Sequence, residues 1–227
     1  MFLPLYDLAP LRRLKAPHVT RVIMVLCSLV WLAAWAGIGG GVEFLVLEAG
    51  VIPAVLWGRA ILPPGLDAVP PVVTLVTSAF LHGSAIHLIG NMLFLQVFGD
   101  NVEDAMGHGR FTAFYVACAA AGGLAHAVAA PASQQPLIGA SGAVAGIVGA
   151  YLVLHPRVRV WGLMLNIVPV RLNAAWILGA WLAFQIYHAL AGDERTTGWW
   201  AHLGGFAAGI MLLPLLRVRP GPAVSMP

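Results

Sequence analysis

The chain has 227 residues, of which 60% are hydrophobic and only 9% charged, and its mean hydropathy is +0.87. An ordinary soluble domain carries about 25% charged residues, so this composition excludes a water-exposed globular protein and points to a polytopic membrane protein. The pI near 9.2 would suit a nucleic-acid binder, but the distribution of the basic residues, given below, argues against nucleic acid as a partner. Cys27 and Cys118 fall inside apolar stretches without metal-ligand spacing, which argues against a structural disulfide.

Residues 1–20 read as a short inner segment. Six apolar stretches follow: Val22–Gly40, Ile86–Phe98, Phe111–Ala130, Leu137–Leu154, Leu172–Leu190 and Trp199–Leu216. A crossing helix needs about 20 mostly apolar residues, so the second, which is short, is expected to extend into its polar flank, Gly99–Ala105. The lengths and the Ala/Leu/Gly content favour helices over the alternating ten-residue segments of a membrane barrel. The expected fold class is all-α: a six-span helical bundle over residues 21–216, followed by a short inner tail, 217–227. The first stretch lacks a small-residue cleavage site after it and reads as a signal anchor.

Two connections stand out. Gly41–Ala85 is a long outer loop, rich in Pro and carrying the apolar run Phe44–Leu47; a structureless loop of that length is unusual, so part of it is expected to form short interfacial helices. Ala191–Gly198, with Asp193, Glu194 and Arg195, is a short polar outer loop.

Orientation follows from Lys and Arg. With the N-terminus inside, the inner segments hold Arg12, Arg13, Lys15, Arg21, Arg110, Arg157, Arg159, Arg171, Arg217 and Arg219, and the outer ones only Arg59 and Arg195. This asymmetry accounts for the basic pI without nucleic acid. It also makes the second, fourth and sixth stretches run in the same direction, from outside to inside. His87 and Asn91 then lie near the start of the second, Ser141 near the start of the fourth and His202 near the start of the sixth. His87 and Asn91, four apart, project from one helical face. Polar side chains inside a membrane are expensive and mark function, so their convergence at one depth near the outer leaflet points to chemistry. Small residues four apart, Gly142/Gly146 and Gly205/Gly209, permit the close helix approach that a hydrogen bond between Ser141 and His202 requires.

The sequence His87-x-x-x-Asn91, then Gly139-x-Ser141-Gly142, then Ala201-His202-x-x-Gly205-x-x-x-Gly209 resembles the three signature motifs of rhomboid proteases, in the same order along the chain. The resemblance covers nearly the whole chain. It implies an intramembrane serine endopeptidase in which Ser141 is the nucleophile, His202 the general base and later acid, and His87, Asn91 and the Ser141 N–H the oxyanion hole. Gly139, Gly142, Gly146, Gly205 and Gly209 become helix-packing residues. It further implies membrane-protein substrates with helix-breaking residues and a small side chain before the cut, no cofactor and no metal. A minimal bacterial inner-membrane member is expected, with the fifth span and the Ala191–Gly198 loop as gate and cap. Glu103 and Arg110 resemble a structural polar element of the family at the inner end of the second span.

Each residue has a plainer reading beside this one. A serine in a glycine-rich helix often packs or bonds back to its own backbone, a histidine near a helix start can face the interface, and Asn91 can tie helices together. The chain also departs from some relatives: Ala145 stands where an aromatic stacks on the histidine, and Gly90 where a bulky aromatic precedes the asparagine. Phe184 and Tyr187 are candidates to supply the missing ring contact. No Asp or Glu falls in the outer half of any span, which favours a Ser–His dyad over a triad. Trp199 and Trp200 fit an interfacial aromatic belt, and His82 is a further candidate to line a water-filled cavity.

Two rivals remain at this stage. His82, His87, His126, His188 and His202 near the outer face suit a metal or proton transporter, but there is no His-Glu-x-x-His motif and no inverted repeat. An inactive rhomboid relative that only binds transmembrane segments is the other, and retention of both Ser141 and His202 argues against it.

Overall fold

The computed structural model describes residues 2–164, 167–192 and 198–218. The first long helix, α1 (His18–Trp35), ends at Ala36, where Gly37 takes a left-handed conformation with φ of 80°. Glycine adopts that conformation without a Cβ penalty, so the helix stops short of Gly40. Short helices follow: a 3-10 turn at Ile38–Gly40, α2 (Gly41–Ala49), α3 (Pro53–Leu56), α4 (Thr74–Thr77) and a second 3-10 turn at Ser78–Phe80. Then come α5 (Ala85–Phe94), joined through a π turn at Leu95–Gly99 to α6 (Asp100–Met106), α7 (His108–Ala129), α8 (Ser141–Leu154), α9 (Ala174–Ala191) and α10 (Trp199–Leu216).

The protein is a predominantly helical, multi-pass membrane protein. Among the described residues, α1, α7, α9 and α10 are long and apolar enough to cross a bilayer. The α4 segment and the continuous α5–α6 helix pass that test only as a pair bent by 97°, and α8 is a shorter apolar helix. Val22, Val25, Leu29 and Leu32 on α1 and Trp176, Tyr187 and Leu190 on α9 are exposed. Such a belt of outward apolar side chains is stable against lipid, where only the backbone must satisfy itself internally.

The expectation of an all-α chain needs one correction. β1 (Phe2–Asp7), β2 (Arg159–Met164) and β3 (Val168–Asn173) form an antiparallel sheet in the order β1-β2-β3. Phe2 lies opposite Met164, and Arg159 opposite Asn173. A Cβ on Gly162 would meet the Phe2 ring and the Leu3 carbonyl, so the glycine lets β1 lie flat on β2. Tyr6 stacks on Trp161, with the Arg171 guanidinium 5.5 Å over the same ring. The segment read as a plain N-terminal stretch is therefore tied to the α8–α9 connection.

Three helices make the frame of the molecule. Every residue of α8 from Gly142 to Tyr151 is buried, because α7 and α10 close on it at backbone distance. A Cβ on Gly205 would strike the Gly142 carbonyl, and one on Gly209 the Gly146 carbonyl. Contacts advance together along the two chains, from Gly142 with Ala201 to Gly149 with Phe206 and Ile210, so α8 and α10 run parallel. Gly122 meets Gly142 while Cys118 meets Gly146, so α7 runs antiparallel to α8. Each of these glycines replaces a side chain with a second helix, as small-residue packing in membranes requires.

At the opposite end, carboxylates hold the chain ends. The fully buried Glu103 accepts from the Val19 and Thr20 N–H groups at 2.9 and 2.8 Å and from the Thr20 hydroxyl at 2.6 Å. These are orphan donors in the first turn of α1, and a carboxylate there also suits the helix dipole. Asp104 accepts from the N–H groups of Arg12, Arg13 and Leu14. Arg110 donates to the Leu216 carbonyl at the end of α10.

Candidate active site

Ser141 is the first residue of α8 rather than its fifth, because Leu137 to Gly139 are not helical. Leu137 pairs in extended form with Val51, exchanging N–H to O bonds of 3.0 and 2.8 Å. Gly139 N–H donates to the Ser78 carbonyl at 2.9 Å, and its φ is +114°. A helix of 14 residues is about 21 Å long, roughly 9 Å less than the ~30 Å hydrocarbon layer. Ser141 thus heads a short helix entered by a stitched, extended strand. Its N–H is one of the four at a helix start that lack an intrahelical partner, at the positive end of the dipole.

Gly139 brings the second pair of residues to this point. A Cβ there would lie 2.6 Å from His87 Nε2 and 3.7 Å from Asn91 Nδ2. The absence of a side chain, together with the left-handed φ, lets the strand rest directly on those two polar groups. His87 is the third residue of α5, whose start is capped by the Ser84 hydroxyl accepting from the His87 N–H. Asn91, buried and one turn on, donates Nδ2 to the His87 carbonyl at 3.2 Å. His82 is buried, and its ring meets His87 edge-on with centroids 5.1 Å apart.

His202 is the fourth residue of α10, one position after Ala201. Ala201 and Ser141 line one small cavity together with Ser78, Gly139 and Gly142. The imidazole Nδ1 lies 2.6 Å from Gln185 Oε1 on α9. Trp181 and Trp199 flank the ring, each with its centroid 6.1 Å away. The sequence reading missed Gln185 and Trp181. It named Phe184 and Tyr187 as ring partners, but these pack on His188, and Phe184 also on Trp199. Gln185 was visible by the same test that singled out the other residues: it is an amide inside an apolar stretch.

Among the described residues, no three His, Cys, Asp or Glu side chains come together as a metal site. His87 lies against Gly139, while His202 Nδ1 is engaged by Gln185. Asp193, Glu194 and Arg195 lie outside the described residues, as does most of the 217–227 tail.

The arrangement is one that acyl transfer uses: an alcohol at a helix start, imidazole and amide donors beside the strand leading to it, and a second imidazole with one nitrogen engaged. Residues 70–219 match the model of the Rhomboid domain. The mitochondrial Rhomboid protein 1 of Saccharomyces cerevisiae is 34% identical over 152 residues, covering 64% of this chain and 42% of that protein. Rhomboid-like protease 3 of Toxoplasma gondii is 32% identical over 138 residues, 61% of this chain and 49% of its own. The Rhomboid protease GluP of Bacillus subtilis is 41% identical over 78 residues, 34% of this chain and 15% of its own. The chain spans less than half the length of each of these relatives. The domain match covers more than half of the chain and contains all three motifs, from His87 to Gly209: this chain belongs to the rhomboid family.

Proposed function

We propose that the protein is an intramembrane serine endopeptidase that cuts transmembrane segments of other membrane proteins with a Ser141–His202 dyad. The observation that carries this reading is the contact of Gly139, two residues before Ser141, with His87 Nε2 and Asn91 Nδ2. Two side-chain nitrogens thus lie against the strand that leads into the helix headed by Ser141, which helix packing alone does not require.

In the mechanism, His202 accepts the Ser141 proton through Nε2 as Oγ attacks the scissile carbonyl. The negative charge on the former carbonyl oxygen is met by the Ser141 N–H, His87 and Asn91. Losing one such donor typically lowers turnover about 100- to 1,000-fold. The C–N bond then breaks, His202 gives its proton to the leaving amine, and water, activated by the same imidazole, hydrolyses the acyl-enzyme. A substrate helix has its peptide groups locked in internal hydrogen bonds, so it must unwind locally before attack. Helix-breaking residues near the cut and a small side chain before it are the expected substrate features. No cofactor takes part.

On this reading the membrane domain, residues 21–216, has six spans, with α8 and the bent α5–α6 segment counted as two of them. The excess of Lys and Arg on one side sets the N-terminus and residues 217–227 in the cytoplasm and the site towards the outer leaflet. The Gly41–Ala85 segment is then an outer loop, and α9 with the Ala191–Gly198 loop forms the substrate gate and its cap. The proposed membrane is a bacterial inner membrane; the matched relatives include three named mitochondrial and one from a bacterium.

The test is cleavage of a model transmembrane substrate by purified protein. Ser141→Ala and His202→Ala should each abolish cleavage while the variants stay folded; retained cleavage in either rules out the dyad. A wild-type protein that binds the substrate without cutting it identifies a binding-only relative.

A further inference from the structure

The buried residues of α9 are Ala174, Ile177, Leu178, Gln185 and Ala189. Four are apolar and one is an amide only 3% exposed. An amide that deep in an apolar bundle is costly unless both the side chain and its surroundings are satisfied. Its Oε1 meets His202 Nδ1 at 2.6 Å.

We infer that Gln185 is a positioning residue for His202, acting where a carboxylate acts in a Ser-His-Asp triad. This rests on the protease reading above. An amide oxygen can only accept, so Nδ1 must carry the imidazole proton and Nε2 must present a lone pair. That tautomer is the one a general base needs. Trp181 lies one turn earlier on the same face of α9, and its ring and that of Trp199 flank the imidazole. The three contacts replace the aromatic that Ala145 does not supply.

The neutral partner also suits its surroundings. An amide oxygen orients the ring without adding a charge to the site. Among the described residues, no carboxylate forms a hydrogen bond or ion pair with His202. The base is therefore held across two helices, with the imidazole on α10 and its orienting oxygen on α9.

The experiment compares purified full-length wild type, Gln185→Met and Gln185→Glu on a model transmembrane substrate, with Ser141→Ala in parallel. Methionine keeps the length and removes the oxygen; glutamate keeps the oxygen. Gln185→Met is expected to lower kcat at least about tenfold, short of the roughly 10⁴-fold loss when a triad's orienting carboxylate is exchanged and the tautomer is wrong, while KM stays within about threefold. Gln185→Glu should recover most of the lost kcat. Nitrogen-15 histidine spectra should show His202 protonated on Nδ1 in the wild type and a mixture of tautomers in Gln185→Met. The inference is overturned if Gln185→Met keeps wild-type kcat and tautomer, or if folded Gln185→Glu is as impaired as Gln185→Met. If Gln185→Met does not fold, activity of Gln185→Glu alone decides in the same sense. Loss of cleavage in Ser141→Ala beside an unaffected Gln185→Met overturns the positioning role and leaves the protease reading standing; cleavage surviving in Ser141→Ala overturns both.

Discussion

Gly205 of α10 rests on the carbonyl group of Gly142 in α8, so closely that a Cβ on Gly205 would overlap that backbone oxygen. Gly142 follows Ser141, and Gly205 lies three residues after His202. The same contact that joins the two helices therefore sets the backbone separation of Ser141 and His202.

Gly205→Ala should consequently damage stability and chemistry together. The obstacle is backbone, which cannot swing aside, so a loss of about 1–3 kcal/mol is expected, typical of overpacking, with a fall in kcat of tenfold or more. Thermal unfolding in detergent and substrate cleavage measure the two effects. Gly179→Ala on α9 is the control: a Cβ there meets nothing within 4 Å, and alanine is the better helix former, so its melting temperature should be unchanged or slightly raised.

Glu103 makes a different prediction because it sits at the far end of the bundle. Its carboxylate accepts from Val19, Thr20 and His108, the last at 2.5 Å, and no water reaches it. Glu103→Leu strands those donors, at roughly 1–3 kcal/mol for each one left buried and unpaired. A clear drop in melting temperature is expected, with labelling of Ser141 by an activity probe retained in the cold. Loss of labelling without loss of stability would assign Glu103 to the chemistry instead.

Much of this organisation was legible in the residues. Hydropathy gave α10 its bounds, Trp199–Leu216, and anticipated that the Ile86–Phe98 stretch would continue through Gly99–Ala105. It did not give the start of α8, because Leu137 and Ile138 are as apolar in a strand as in a helix; only the Val51 pairing and the Gly139 φ separate the two. The place of β1 in the sheet escaped notice because it pairs with a strand more than 150 residues away, and no local pattern encodes such a partner. The motifs marked Ser141, His202, His87 and Asn91 as candidates. Gln185 belongs to no motif; its place as an amide inside an apolar stretch could have marked it, and the structure supplies its partner, His202.

Asp7 at the end of β1 provides a pH test. It accepts hydrogen bonds from the Tyr151 hydroxyl and from Asn101 Nδ2. Burial pushes its carboxyl above the ordinary range, against the opposing pull of the Tyr151 bond. A raised folded-state value means that the folded protein holds this proton more tightly than the unfolded chain does. Stability from this group is therefore fully present below the ordinary value, near about 4, and declines as pH rises through the raised one. Asp7→Asn keeps an acceptor for Tyr151 and removes the titration. It should flatten the fall in melting temperature above pH 4 and be at least as stable as wild type at pH 7; an unaltered slope contradicts the assignment.

The central claim, that Ser141 is a nucleophile activated by His202, is tested most directly by labelling the purified protein with a fluorophosphonate and mapping the adduct by mass spectrometry. The account predicts one adduct, on Ser141, lost in His202→Ala. An adduct on another residue, or one on Ser141 that forms equally fast without His202, would contradict it.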